Sequence, residues 1–182
     1  LQSHSIPPQL ETYFERASVA IALAACGEDN PLLRVNDAFE ELTGYTAADV
    51  VGRNCRMLQR DADNSEARER IRMFLASDTQ DTVRTPIVNF HKDGHPFVNL
   101  LFMSKLRNQS GRCDFIFASQ FDVSRSQPEL LAAYDRELAR TLLELKPKLA
   151  DTGIVIEGTL MTIANTAATV AQAKLRLAEL DG

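Results

Sequence analysis

The chain has no basic block, no apolar run of membrane-spanning length, and only three cysteines in 182 residues. Each shortage excludes a class of function. The net charge is −5, and the six basic and eight acidic residues from Pro128 onward are as evenly mixed as those before it, so no segment carries the cationic field that binds nucleic-acid phosphates. No apolar stretch approaches the twenty or so residues a membrane helix needs, and no secretory signal pattern opens the chain. A cytoplasmic protein without membrane contact is the expectation. Cys26, Cys55 and Cys113 lie far apart without the paired spacing of a zinc site or a disulfide framework, which predicts no metal and three free thiols in a reducing compartment. The three histidines, His4, His91 and His95, have neither a phosphoacceptor context nor a convincing haem-ligand context. None of the eight glycines falls in a phosphate-cradling loop or a kinase nucleotide motif, so an enzyme is not expected. Internal repeats and low-complexity tracts are also missing.

What is present suffices for a globular core: 45% of the residues are hydrophobic. Pro7-Pro8 stiffens the start, and Leu10, Tyr13 and Phe14 mark a short amphipathic helix in residues 1–16. Val19 to Cys26 and Leu32 to Val35 read as a strand pair about the turn Gly27 to Pro31. Asn36 or Asp37 caps a short helix that ends at Gly44, with another helical turn at Ala47 to Val51. A longer helix starts at Ser65, directing Ile71, Phe74 and Leu75 inward. Three strands follow, Thr82 to His91, Pro96 to Arg107 and Arg112 to Asp122, with Lys92-Asp93-Gly94 as a tight turn. Five antiparallel strands with helices grouped on one face define an α+β fold over residues 17–125. Residues 126–182 read as a helical hairpin. Leu130, Leu131, Tyr134, Leu138, Leu142 and Leu145 form the first stripe, up to Pro147, and Ile156, Leu160, Ile163, Ala167, Val170 and Leu175 mark the second. Such stripes need the core, each other or a second copy of the chain to cover them.

The most informative segment is Gly52-Arg53-Asn54-Cys55-Arg56-Met57-Leu58-Gln59, which sets one thiol among arginines and amides. It resembles the flavin-binding signature of LOV domains, the blue-light-sensing branch of the PAS family, matching seven of its eight positions. Asn36-Asp37-Ala38-Phe39, Leu42-Thr43-Gly44-Tyr45, Asn89-Phe90, Phe97-Val98-Asn99-Leu100 and Gln120-Phe121-Asp122-Val123 follow the family order as well. The resemblance covers roughly residues 17 to 125 and implies a five-stranded PAS sheet holding FMN.

The resemblance also implies roles. Arg56 and Arg72 occupy the two phosphate positions, and a planar guanidinium fork suits a phosphate dianion. Asn89, Asn99 and Gln120 match the positions along the flavin ring edge. Asn54 and Gln59 match those that contact the ribityl chain and ring, while Leu58, Val35 and Leu101 offer apolar walls. Three amides facing an apolar slot make sense only with a polar ligand, because an unpaired buried amide costs about 1–3 kcal/mol. Cys55 is the reactive group: light makes the ring electrophilic at C4a, the sulfur bonds there reversibly, and the bond breaks again in the dark. Gln120 serves as relay, since a side-chain amide can donate or accept at the ring nitrogen by rotating.

Several positions depart from the family: Met57 for phenylalanine, Arg60-Asp61 where glycine is common, Leu23-Ala24 for a Thr-Asp pair, Phe90 for tyrosine, and Leu101 for a flanking phenylalanine. They are expected to alter the lifetime of the light state. The expected output is a light-dependent change in a homodimer formed through the C-terminal helices, or in binding of a further protein. Two alternatives stand beside it: a flavin-based redox sensor, and a transcriptional partner or DNA-binding regulator acting through the hairpin. Lys174 and Arg176 are the only cations of the second helix, which disfavours DNA.

Overall fold

The computed structural model describes residues 6–124, 128–150, 152–153 and 155–156. Five strands, β1 (Ala20–Ala25), β2 (Leu32–Val35), β3 (Thr82–Phe90), β4 (Pro96–Arg107) and β5 (Cys113–Gln120), form an antiparallel sheet in the order β2-β1-β5-β4-β3. Between β2 and β3 run α2 (Asp37–Thr43), α3 (Ala47–Val50), a 3-10 turn (Cys55–Gln59) and α4 (Ser65–Ala76). These pack on one face, as expected. The flanking helices α1 (Pro8–Arg16) and α5 (Pro128–Ala150) cover the other.

Strand alternation divides the sheet residues between the two faces. Ile21, Leu23, Val98, Leu100, Phe102, Leu106, Phe115 and Phe117 point to the back, where Leu10, Tyr13 and Phe14 of α1 and Tyr134, Leu138, Leu145 and Leu149 of α5 complete one buried cluster. The part of the expected stripe from Tyr134 to Leu145 is therefore covered by its own domain. Tyr134 shares a 2.7 Å hydrogen bond with Ser119 and stacks on Phe121 at 4.5 Å, and Asp135 pairs with Arg84 at 2.5 Å.

Asn36 settles the capping alternative and does more. Its Oδ1 accepts from the Phe39 and Ile21 N–H groups, and its Nδ2 donates to the carbonyls of Ala17 and Val19. One buried amide thus ties α2 to β1 and to the chain entering it. Asn36→Ala removes a helix cap and strips partners from buried backbone groups, so a loss of about 3 kcal/mol is expected, read from the shift in the urea unfolding midpoint.

Three sequence expectations are corrected. Cys26 and Cys113 are not free: they form a disulfide, with Cα atoms 5.9 Å apart, because antiparallel pairing of β1 with β5 brings together residues 87 apart in sequence. The first C-terminal helix does not stop at Pro147 but runs on to Ala150, with Leu145 and Leu149 buried on either side of the proline. Ile156, assigned to the second helix, instead lies in β6 (Val155–Ile156), which pairs with Leu106 and Arg107 of β4. The remainder of that second helix falls outside the described residues. No described helix is long and apolar enough to cross a membrane.

Candidate functional site

Between the front face of the sheet and the helices lies a cavity of about 660 Å³, within the range of small-molecule sites. Its floor comes from alternate residues of four strands: Ala22 and Ala24, Ile116 and Ala118, Asn99, Leu101 and Met103, and Ile87 and Asn89. Ala22 and Ala24 on β1 and Ala118 on β5 leave the space, and Ile116 with the larger residues on β3 and β4 bounds it. Asn54, Cys55, Arg56 and Gln59 close it from the 3-10 turn, and Arg68, Ile71, Arg72, Leu75 and Ala76 from α4.

Local sequence sets the turn. Gly52 adopts φ +82°, and its N–H donates to the Leu32 carbonyl at 2.7 Å, while Leu32 N–H donates to the Arg53 carbonyl. Asn54 then caps the turn, its Oδ1 accepting from Arg56 N–H at 2.8 Å. Cys55 follows directly and is thereby aimed into the cavity. It is the free thiol of the chain. Burial pushes its pKa up to about 12, so the sulfur keeps its proton near neutral pH.

The polar groups are unevenly satisfied. Gln59 Oε1 accepts from Arg68 Nε at 2.8 Å, and Asn99 Oδ1 accepts from Phe121 N–H at 3.2 Å. Asn89 Oδ1 and both amide atoms of Gln120 are buried with no hydrogen-bond partner among the described residues. Gln120 lies two residues beyond Ala118 on the same face of β5, just past the cavity wall. Native proteins seldom leave such groups unpaired, and a polar ligand edge would satisfy them. At the cavity rim, Arg56 pairs with Asp29 and Arg72 with Glu69, all four side chains more than half exposed.

Eight of the nine expected site residues, Asn54, Cys55, Arg56, Gln59, Arg72, Asn89, Asn99 and Leu101, line one space, and Gln120 adjoins it. Leu58 and Val35 are not among the lining residues; they are buried with Phe39 and Val50 in a cluster that adjoins the cavity through Ala22, Leu32 and Cys55. Arg68 was missed, although its place three residues after Ser65 on a helix already expected to face inward could have signalled it. Among the departures from the family, only Ala24 and Leu101 face the cavity. Met57 packs against the Phe39 cluster, and Leu23 is buried on the back face. Arg60 occupies the left-handed region at φ +45°, which explains the glycine common there. Its guanidinium offsets the strain by donating to the His91 and Lys92 carbonyls and lying over Phe90 at 5.3 Å.

A pH dependence follows. Burial raises the Tyr134 hydroxyl, like the Cys55 thiol, to about 12, from ordinary values of 10.0 and 9.0 respectively. Folded protein therefore holds these protons more tightly than unfolded chain. The stabilisation is complete below the unfolded values and is lost as pH rises through 9 toward 12. Unfolding midpoints across this range should fall, and Cys55→Ala should remove the thiol's share of the fall.

Comparison with known proteins agrees with this geometry. A family model of the PAS domain matches residues 18–125. The chain is 37% identical over 124 residues to blue-light-activated histidine kinase 2 of Erythrobacter litoralis, covering 68% of this chain and 35% of that protein. It thus spans about a third of that relative's length. The crystal structure of the Rhodobacter sphaeroides LOV protein superposes with a TM-score of 0.71 at 27% identity, covering 96% of this chain and 98% of the other. An RNA-binding light-oxygen-voltage receptor is 39% identical with a TM-score of 0.60, over 76% of this chain and 40% of that one.

Proposed function

Because the chain belongs to the PAS family and is a LOV domain within it, we propose that it is a blue-light photoreceptor that holds FMN in the cavity and uses Cys55 as its light-consumed group. The observation carrying this reading is one free thiol on the wall of a cavity, with unpaired buried amide atoms of Asn89 in its lining and of Gln120 adjoining it. When bound and excited by blue light, a flavin supplies an electrophilic ring carbon beside a basic ring nitrogen. Cys55 supplies a neutral thiol, sulfur and proton together, so no thiolate is needed in the dark.

Asn89, Asn99 and Gln59 present amides to the ring and ribityl chain. Arg56 and Arg72, joined by Arg68, are placed for a terminal phosphate. Their present partners do not compete strongly, because exposed ion pairs are worth about 0–1 kcal/mol and a phosphate offers more acceptor oxygens. This favours FMN over riboflavin.

Gln120 is the proposed relay. Both its amide atoms are free to pair with a ring nitrogen as acceptor or donor by rotating. Its neighbours Ser119 and Phe121 both contact Tyr134 of α5, so a change at Gln120 has one short route to that helix. The proposed output is a change in the hold of α5 on the sheet that regulates self-association through the C-terminal region or binding of a protein partner in the cytoplasm. No substrate is turned over by this chain.

A blue pulse on the purified chain tests the reading: absorption should bleach and return in darkness, and FMN should be the pigment released on denaturation. Stable flavin absorption without bleaching, or reversible flavin reduction instead, contradicts it. Gln120→Leu should retain bleaching but reduce the light-induced change in hydrodynamic size. An undiminished size change would remove Gln120 from the route.

A further inference from the structure

Cys26 and Cys113 lie outside the cavity and play no part in the chemistry assigned to Cys55. β1 and β5 pair from Ala20 opposite Gln120 to Ala25 opposite Phe115, and Cys26 N–H then donates to the Asp114 carbonyl at 3.2 Å. This sets the two cysteines side by side at the sheet end, Cα atoms 5.9 Å apart, within disulfide reach, and they are joined. Both residues are only half-buried, which admits small thiol reagents.

The residues that follow Cys26 lead to the cavity mouth. Gly27 N–H donates to Asn30 Oδ1 at 3.2 Å, and Asp29 and Asn30 adopt φ +59° and +41°. The Asp29 carbonyl accepts from Asn54 Nδ2, the Asp29 carboxylate pairs with Arg56, and Asn30 lines the cavity. One end of this strained turn is therefore anchored through Cys26 to β5. Its tip grips the residues on either side of Cys55.

We propose that Cys26 and Cys113 are a reversible oxidation site whose disulfide fixes the turn of residues 27–31 against residues 54–56 and thereby slows flavin exchange. The effect on exchange rests on the flavin reading above; the oxidation site does not. The co-reactant is a low-molecular-weight disulfide of the glutathione class. One cysteine sulfur attacks it and expels the first small thiol, and the second cysteine sulfur displaces the other. Two protons and two electrons pass from the cysteine pair to the oxidant, leaving one protein disulfide and two small thiols; an excess of small thiol reverses the exchange. In a reducing compartment the pair rests as thiols and closes when the poise shifts.

The test equilibrates the full chain in the dark in reduced and oxidised glutathione mixtures, quenches with acid, and alkylates under denaturing conditions for peptide mass mapping. Labelling of Cys26 and Cys113 should fall together as the mixture becomes oxidising, with Cys55 labelled throughout. Amide exchange at residues 27–34 and 52–58 should be slower in the oxidised form. Flavin release should also be slower, on the order of tenfold for a mouth held rigid. Cys26→Ser and Cys113→Ser should each erase the redox dependence of both rates. Full labelling of Cys26 and Cys113 at every mixture overturns the oxidation site, and equal amide exchange or equal flavin release in the two forms overturns its link to the cavity. A chain that cross-links and stiffens as expected but carries no flavin contradicts the proposed function and leaves the oxidation site standing.

Discussion

Cys55→Ala is expected to abolish dark-reversible bleaching completely while leaving flavin bound. The variant removes one sulfur from the cavity wall and nothing else. No other group there can replace it: the Met103 thioether also lines the cavity but has no proton to give, and Cys26 and Cys113 sit at the end of the sheet. The ligand-holding groups, Gln59, Asn89, Asn99 and the three arginines, stand on other positions of the turn, on α4 and on the sheet, and are untouched. Stability should change by less than about 1 kcal/mol, because the truncation opens onto existing space rather than a packed core. Residual bleaching with dark recovery in this variant would mean that another residue reacts.

Asp135→Ala is expected to be the most damaging single change on the opposite face. Arg84 and Asp135 form an ion pair whose side chains are only 8% and 12% exposed, and Arg84 Nε and Nη1 have no hydrogen-bond partner among the described residues. Deleting the carboxylate leaves a guanidinium charge buried beneath α5. Breaking such a pair costs about 3–5 kcal/mol, whereas replacing both partners with apolar groups is often neutral. The expected drop in melting temperature is about 10 °C. Arg84→Met combined with Asp135→Leu should recover most of it. If the single variant melts like the parent, this pair does not hold α5 to the sheet.

Much of this architecture was legible in the sequence because its signals are local. The turn Lys92-Asp93-Gly94, the alternation along β3 to β5 and the cap before Phe39 each specify an element from adjacent residues. The segment around Cys55 was readable through its resemblance to the LOV signature; periodicity added only that Cys55, Arg56 and Gln59 share one face of a short turn. What escaped depends on long-range pairing. Cys26 and Cys113 look unrelated until β1 and β5 align, and the sequence gives no hint that Ile156 ends beside Leu106. The amphipathic stripe of α5 announced a covered face but not which surface covers it; the answer lies in the back of the sheet, where Phe115, Phe117 and Leu106 await it. Val35 and Leu58 sit behind the lining rather than in it, because apolar character marks burial without saying on which side of a wall.

The central claim is that the neutral Cys55 thiol is consumed by light and restored in darkness. Light-minus-dark infrared difference spectroscopy of the S–H stretch measures this directly. A negative S–H band should appear on illumination, decay with the same time course as the recovery of blue absorption, and be missing from Cys55→Ala. Flavin bleaching with an unchanged S–H band would contradict the account and place the photochemistry in the flavin alone.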